Sequence, residues 1–156
     1  MHDTPKDRSQ ASTREIVSFS VGEQRFCMEI EHVLEIRGWT KTTILPHAPE
    51  YVIGMMNLRG TVLPVVDLSL RLGLGRTDPS PRHVIIIARI HEQTVGFLVE
   101  NVSDIATVNE SDMQATPDVA SALTQAFIKG VYSIEDKLVR AIDVYQILPR
   151  EAVAAA

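Results

Sequence analysis

Val17, Phe19 and Val21 alternate with Ser18 and Ser20, the period of a strand with one buried face. Gly22-Glu23-Gln24 reads as a turn. Phe26, Met28 and Ile30 resume the alternation with Cys27 and Glu29 between them, which predicts a hairpin. Cys27 points away from that apolar set and is expected as a small residue on the second face of its strand. Ile30, Val33 and Leu34 have the spacing of one or two helical turns ending near Gly38. A proline-punctuated connection over residues 44–50 leads to a second hairpin from Tyr51 to Asp67, with its turn at Leu58-Arg59-Gly60. Pro64 lies inside the return strand, which places that strand at an edge or on a bulge. Asp67 is suited to cap a short helix carrying Leu68, Leu70 and Leu72, ended by Gly73 and Gly75.

The pattern then repeats. Val84 to Ile90 and Val95 to Val99 read as two strands around the turn His91-Glu92-Gln93. Glu23, Gln24, Glu31, Val33 and Ile36 recur 69 positions later as Glu92, Gln93, Glu100, Val102 and Ile105. Gly54, Asp67 and the apolar positions between them recur 76 positions later, with Gly130 and Asp143 at the ends. The shift grows by seven residues, which must lie between Ile105 and Phe127. Thr107 to Ala126 is polar and predicts a long loop with a helical turn near Ala120 to Ala126. Asp143 caps a last helix over Val144 to Leu148, stopped by Pro149.

Residues 1–13 are polar and aperiodic and read as a disordered tail; the folded part spans 14–149, with a short tail over 150–156. Each half supplies about five short strands, so the fold class is mostly β, built as small barrels or sandwiches. Val84 to Ala88 is apolar on both faces, so the two halves must pack together over it. The turns differ between the copies. Leu58-Arg59-Gly60 becomes Ile134-Glu135-Asp136, which marks the first turn as the specialised one.

Composition narrows the function. The chain has 156 residues, 45% of them hydrophobic, and a net charge of −5. That balance argues against nucleic acid, which needs a concentrated basic face, and no polybasic segment suits anionic lipid. One cysteine permits no internal disulfide and fits a reducing cytoplasm. The N-terminus lacks the apolar core of a signal peptide, and the longest aliphatic run, Val84 to Ala88, is too short to span a bilayer. The triplets at Asn101 and Asn109 match the glycosylation pattern by chance in such a chain. Catalytic signatures are missing. Leu72-Gly73-Leu74-Gly75-Arg76 lacks the third glycine of a dinucleotide loop, and no nucleophile elbow occurs. His2, His32, His47, His83 and His91 are scattered without metal-ligand spacing, and Asp104, Asp112 and Asp118 read as solvated loop residues. A duplicated β scaffold without a catalytic constellation points to holding partners, with no cofactor and no metal.

Four segments carry a resemblance to the CheW family of chemotaxis coupling proteins. They are Val33-Leu34-Glu35-Ile36-Arg37-Gly38, Gly54-Met55-Met56-Asn57-Leu58-Arg59-Gly60, Pro64-Val65-Val66-Asp67-Leu68 and Val99-Glu100-Asn101-Val102-Ser103-Asp104. The resemblance implies two intertwined five-stranded SH3-like β-barrels with short helices, no enzymatic activity, and a free-standing adaptor without kinase core or receiver. It implies a cytoplasmic place at chemoreceptor arrays. The implied partners are the cytoplasmic tips of methyl-accepting chemoreceptors, the regulatory domain of the histidine kinase CheA, and further copies of the chain in rings. It assigns receptor binding to Val33, Glu35, Ile36, Gly54, Arg59 and Val102, with Glu35 and Arg59 as a pair and Val33, Ile36 and Val102 as an apolar trough. Kinase binding falls to Val62, Pro117 and Val119. Some relatives carry an aromatic where Val119 stands, and the smaller side chain buries less area. Competing readings are the same scaffold in a non-flagellar chemosensory pathway, or a β-barrel binding a small ligand, which would need a polar cluster in a pocket.

Overall fold

The computed structural model describes residues 12–116 and 122–148. Its strands are β1 (Thr13–Val21), β2 (Gln24–Glu29), β3 (Val33–Gly38), β4 (Val52–Leu58), β5 (Thr61–Asp67), β6 (Val84–Ile90), β7 (Gln93–Val99), β8 (Asn101–Asn109), β9 (Ile128–Ile134) and β10 (Lys137–Ile142). Short helices follow at α1 (Leu68–Arg71), α2 (Ala122–Ala126) and α3 (Val144–Ile147). The strands form two five-stranded sheets, ordered β8-β1-β2-β10-β9 and β3-β6-β7-β5-β4.

The duplication read from the sequence is the organising rule. The shifts of 69 and 76 carry β1 through β5 onto β6 through β10, and they turn one sheet order into the other. The sheets, however, are not the two halves. β1 and β2 pair with β8, β9 and β10, while β6 and β7 pair with β3, β4 and β5. The chain crosses from one sheet to the other after β2 and again after β7, so the units are intertwined as expected. Even irregularities repeat. Register shifts fall between Val33 and Glu35 in β3 and at the matching place between Ser18 and Phe19 in the β1–β8 pair.

Four expectations change. Val33–Gly38 is a strand, and only Ile30–His32 is helical, as a single 3-10 turn. The short apolar spacing there fits either element, and pairing with β6 decides it, placing Arg37 opposite Ile85. The loop expected from Thr107 is shorter, because β8 continues to Asn109 and Gln114 bridges to Val131. β5 is an internal strand, but its parallel ladder with β7 begins only at Val65. Pro64 therefore sits where β5 has a partner on the β4 side alone, so its missing N–H costs no ladder bond to β7. Ser12 and Thr13, assigned to the tail by pattern, are described, and the Glu110 amide donates to the Ser12 carbonyl at 2.7 Å. The remainder of that tail, Pro149 and residues 150–156 lie outside the described residues.

The central strands bury both faces. Val17, Phe19, Val21, Phe26 and Met28 from one sheet meet Ile86, Ala88, Ile90, Val95, Phe97 and Val99 from the other in a common seam. On their reverse sides, Ile16 and Cys27 join one sheet's own core with Tyr132 and Val139. Ile85, Ile87 and Leu98 join the other's with Met56, Leu63 and Val65. Each fully buried Phe, Ile or Leu contributes roughly 1.5–3 kcal/mol. The Cys27 thiol is pushed up to about 12 by burial, which makes it a packing residue in a reduced, protonated state.

Both helix caps form. The Asp67 carboxylate accepts from the Leu70 amide, and the Asp143 carboxylate from the Tyr145 amide at 3.1 Å. Asp67 does more than its twin. It is 2% exposed and also accepts from the Thr77 amide and hydroxyl, both at 2.7 Å, tying down the chain that leaves α1. Asp67→Ala is expected to cost about 2–4 kcal/mol and Asp143→Ala about 1 kcal/mol, measured by urea denaturation. Equal losses would show that the Thr77 bonds add nothing.

Candidate functional site

Burial alternates along β3. Val33, Glu35 and Arg37 are half-buried, whereas Leu34, Ile36 and Gly38 are exposed. Strand geometry thus puts the Glu35 and Arg37 side chains on one face, two residues apart. Opposite them stands the turn between β4 and β5. Its two residues, Arg59 and Gly60, have φ of 51° and 88°, the primed turn that suits a two-residue hairpin. The Asn57 side-chain oxygen accepts from the Gly60 amide at 2.9 Å and closes the turn. The left-handed backbone at Arg59 is unusual for a side-chain-bearing residue. From it, the guanidinium reaches β3.

There Arg59 Nη2 pairs with Glu35 Oε1, and Arg37 Nη1 donates to Glu35 Oε2 at 3.1 Å. The carboxylate is held by one arginine on each oxygen. Hydrogen bonds from Arg59 and then Arg37 hold its pKa below the usual carboxylate range. The pair also has a place in the architecture. β3 and β4 are the two terminal strands of their sheet, so the contact joins its two ends. Arg59 remains 69% exposed in its side chain, leaving donor groups free toward a partner.

The same position in the other sheet is built differently. Its turn residues, Glu135 and Asp136, have φ of 50° and 65°, so the backbone is the same primed turn. By the shifts, however, Glu35 becomes Asp104, Arg37 becomes Ala106 and Arg59 becomes Glu135. In place of the three-residue pair is an open groove of about 330 Å³ lined by Asp104, Ala106, Glu135, Arg25 and Lys137. The scaffold is shared and the charge is reversed.

The structure brings some expected site residues together and separates others. Val33 and Val102, twins on β3 and β8, are both half-buried against the common seam. Ile36 is 45% exposed and lies on the same face as Val33, because the register shift between Val33 and Glu35 sets Val33 opposite Ala88 and Ile36 opposite Ile86, both on the seam side of β6. Gly54 packs against its own chain. A Cβ there would stand 2.5 Å from the Thr43 carbonyl oxygen, and at its twin Gly130 2.9 Å from the Gln114 carbonyl oxygen. Both glycines let a segment bridge the outer edge of β4 or β9, at Thr43–Met55 and Gln114–Val131. Val62 is 58% exposed on β5, alternating with the fully buried Leu63. Pro117 and Val119 lie outside the described residues. Arg37 was missed from the sequence; its spacing of two from Glu35 signals a shared face only once the segment is read as a strand.

Among the described residues no group of His, Cys, Asp or Glu is placed to hold a metal ion, and no helix is long and apolar enough to cross a membrane. A duplicated β scaffold whose two copies differ in one ion-paired hairpin tip is a scaffold for recognition. The chain belongs to the CheW-like domain family, whose model it matches over residues 15–152. It is 49% identical over 143 residues to the chemotaxis protein CheW of Rhizobium meliloti (strain 1021), covering 92% of each chain. It is 30% identical over 141 residues to the chemotaxis protein CheW of Bacillus subtilis (strain 168), covering 90% of each. Among solved structures it resembles the scaffolding protein TtCheW from Thermoanaerobacter tengcongensis, with a TM-score of 0.77, 31% identity and 86% coverage of both chains.

A depressed carboxylate pKa contributes stability that is present above the unfolded value and lost as pH falls through the folded one. The Glu35 pair should therefore be intact from neutral pH down to the ordinary carboxylate range and open only below it. Carboxyl-carbon NMR is expected to give a Glu35 midpoint below about 4.3, the reference value for Glu. In Arg59→Gln the midpoint should rise, while Arg37 keeps it from reaching the reference. An unshifted midpoint in that variant would show that Arg59 does not hold the carboxylate in solution.

Proposed function

We propose that this chain is a non-enzymatic adaptor that couples the cytoplasmic tips of chemoreceptors to the histidine kinase CheA, at arrays on the cytoplasmic side of the membrane. The observation that carries the reading is the Arg59–Glu35–Arg37 cluster. It is the charged feature that the second copy of the scaffold lacks, it is held on a rigid two-residue turn, and it leaves Arg59 exposed. Membership of the CheW-like family and the relatives named as chemotaxis proteins support the pathway.

The mechanism is non-covalent. Receptor contact uses Arg59 as the charged anchor, Glu35 to orient it, and Val33, Ile36 and Val102 as the apolar part; Gly54 supports the hairpin from behind. The kinase contact includes Val62, whose exposed side chain lies on the same hairpin's second strand, together with Pro117 and Val119. Further copies of the chain can extend the assembly into rings. Holding receptor and kinase at once raises the effective concentration of each for the other and lets one bias the other's conformation.

Arg59→Glu should lower receptor affinity roughly tenfold or more, a loss of about 1.4 kcal/mol, with an unchanged urea midpoint. It replaces an orienting attraction with repulsion at Glu35. Co-sedimentation with receptor membranes and CheA at wild-type levels, with normal kinase control, would remove Arg59 from the site. Val62→Asp should weaken kinase capture and leave receptor capture unchanged, read in separate pull-downs. Equal loss of both would mean a folding defect instead.

A further inference from the structure

Arg71, at the end of α1, is a charged side chain that joins the two pseudo-equivalent ends of the seam. Its guanidinium carbon lies 4.2 Å from the centre of the Tyr51 ring and 4.6 Å from that of Phe127. These two aromatics are twins under the shift of 76, one leading into β4 and the other into β9. The same guanidinium donates from Nε to the Ile147 carbonyl and from Nη2 to the Gln146 carbonyl, both at 3.2 Å. Those carbonyls end α3, the twin of α1, where a helix leaves its last acceptors unpaired and favours a cation. Arg71 itself maps onto Ile147. A guanidinium between both rings leaves no place for a second one, so this contact is asymmetric by necessity. A neighbouring link runs alongside it, since the buried Thr124 hydroxyl of α2 donates to the Leu72 carbonyl at 2.7 Å.

The position matters because of how the sheets are otherwise connected. The chain passes between them at the turn Ile30–His32 and at Glu100, next to the strands that carry Val33 and Val102. Arg71 ties the two junctions where β5 runs into α1 and β10 into α3, and both lie beside the crossings, because Asp67 pairs with Leu98 of β7 and Ala141 with Cys27 of β2 in parallel ladders. A guanidinium set on one ring from each half and bonded to the end of α3 holds these two junctions in one relative placement, and the opposite tips of β5 and β10 swing when it is lost. Planar stacking on two faces together with a fork of donors is a geometry that arginine supplies and lysine does not.

We propose that Arg71 is a positioning residue for the receptor site: by clamping Tyr51 and Phe127 and capping α3, it fixes the angle between the sheets and so the spacing of Val33 and Ile36 from Val102. This rests on the receptor reading given above. The test pairs a distance measurement with binding. Spin labels at Thr61→Cys and Lys137→Cys, exposed twins on the two hairpin tips, report the inter-sheet distance; Cys27 is buried and stays unlabelled. Arg71→Met keeps the apolar stem over the rings and removes the fork. It should at least double the width of the distance distribution and lower affinity for a soluble receptor-tip fragment about fivefold. Arg71→Lys, the milder change should Arg71→Met fold poorly, is expected to fall between it and the wild type in both readouts. An unchanged width in both variants overturns the clamp, and a broadened distribution with unchanged affinity overturns the positioning role. Absence of receptor binding by the wild-type chain would instead overturn the receptor reading, while the distances still decide whether Arg71 sets the angle.

Discussion

Burial of both faces of the central strands is the constraint on which the rest of the structure depends. β6 cannot leave either side in water, because Ile86 and Ala88 face one way and Ile85 and Ile87 the other. One face is satisfied inside its own sheet. The other needs a second apolar sheet, and the duplicated half provides it through Val17, Phe19, Phe26 and Met28. Because each sheet takes two strands from one half and three from the other, neither half can complete a sheet alone. Separation of the halves would expose the seam and break four ladders together, β1–β8, β2–β10, β3–β6 and β5–β7, so the protein is one cooperative unit despite its two sheets.

A symmetric scaffold leaves function to the few places where the copies diverge. Backbone features recur faithfully: primed turns at Arg59-Gly60 and Glu135-Asp136, caps at Asp67 and Asp143, close approaches at Gly54 and Gly130. These positions answer to geometry and tolerate little change. Side chains on the turns answer to no packing requirement, and there the copies carry opposite charge. Two arginines on one carboxylate fill the first site; two acids and an alanine leave the second open. One fold thus presents two unlike ends, which suits a protein that must hold different partners at once.

Charge does its work here through orientation more than through stability. Glu35 and Arg59 are close to solvent, where ion pairs contribute little net free energy. What the pair contributes is direction. A flexible arginine on a hairpin tip is held across the open end of its sheet by a carboxylate that is itself fixed by Arg37. Pre-ordering a long side chain in this way removes part of the entropy a partner would otherwise lose on binding.

Much of this was legible along the chain. The period of two in β1, β2 and β7, the turn residues, the capping aspartates and the internal shifts are local signals, and they located nearly every strand and helix. The duplication and the opposite charge of the two turns were also visible, and they singled out Arg59. Three things were not. Val33–Gly38 looked helical because a six-residue apolar spacing fits both elements, and only the ladder with β6 made it a strand; Arg37 stayed hidden for that reason. The change of sheet after β2 and again after β7 has no local signature, since each strand reads the same whichever sheet receives it. The meeting of Arg71 with Tyr51, Phe127 and the end of α3 brings together residues up to 76 positions apart. Local sequence determined the elements, because backbone preference and apolar period act over a few residues. Tertiary structure decided which elements pair and which charges meet, because those depend on how the two apolar faces come together across the seam.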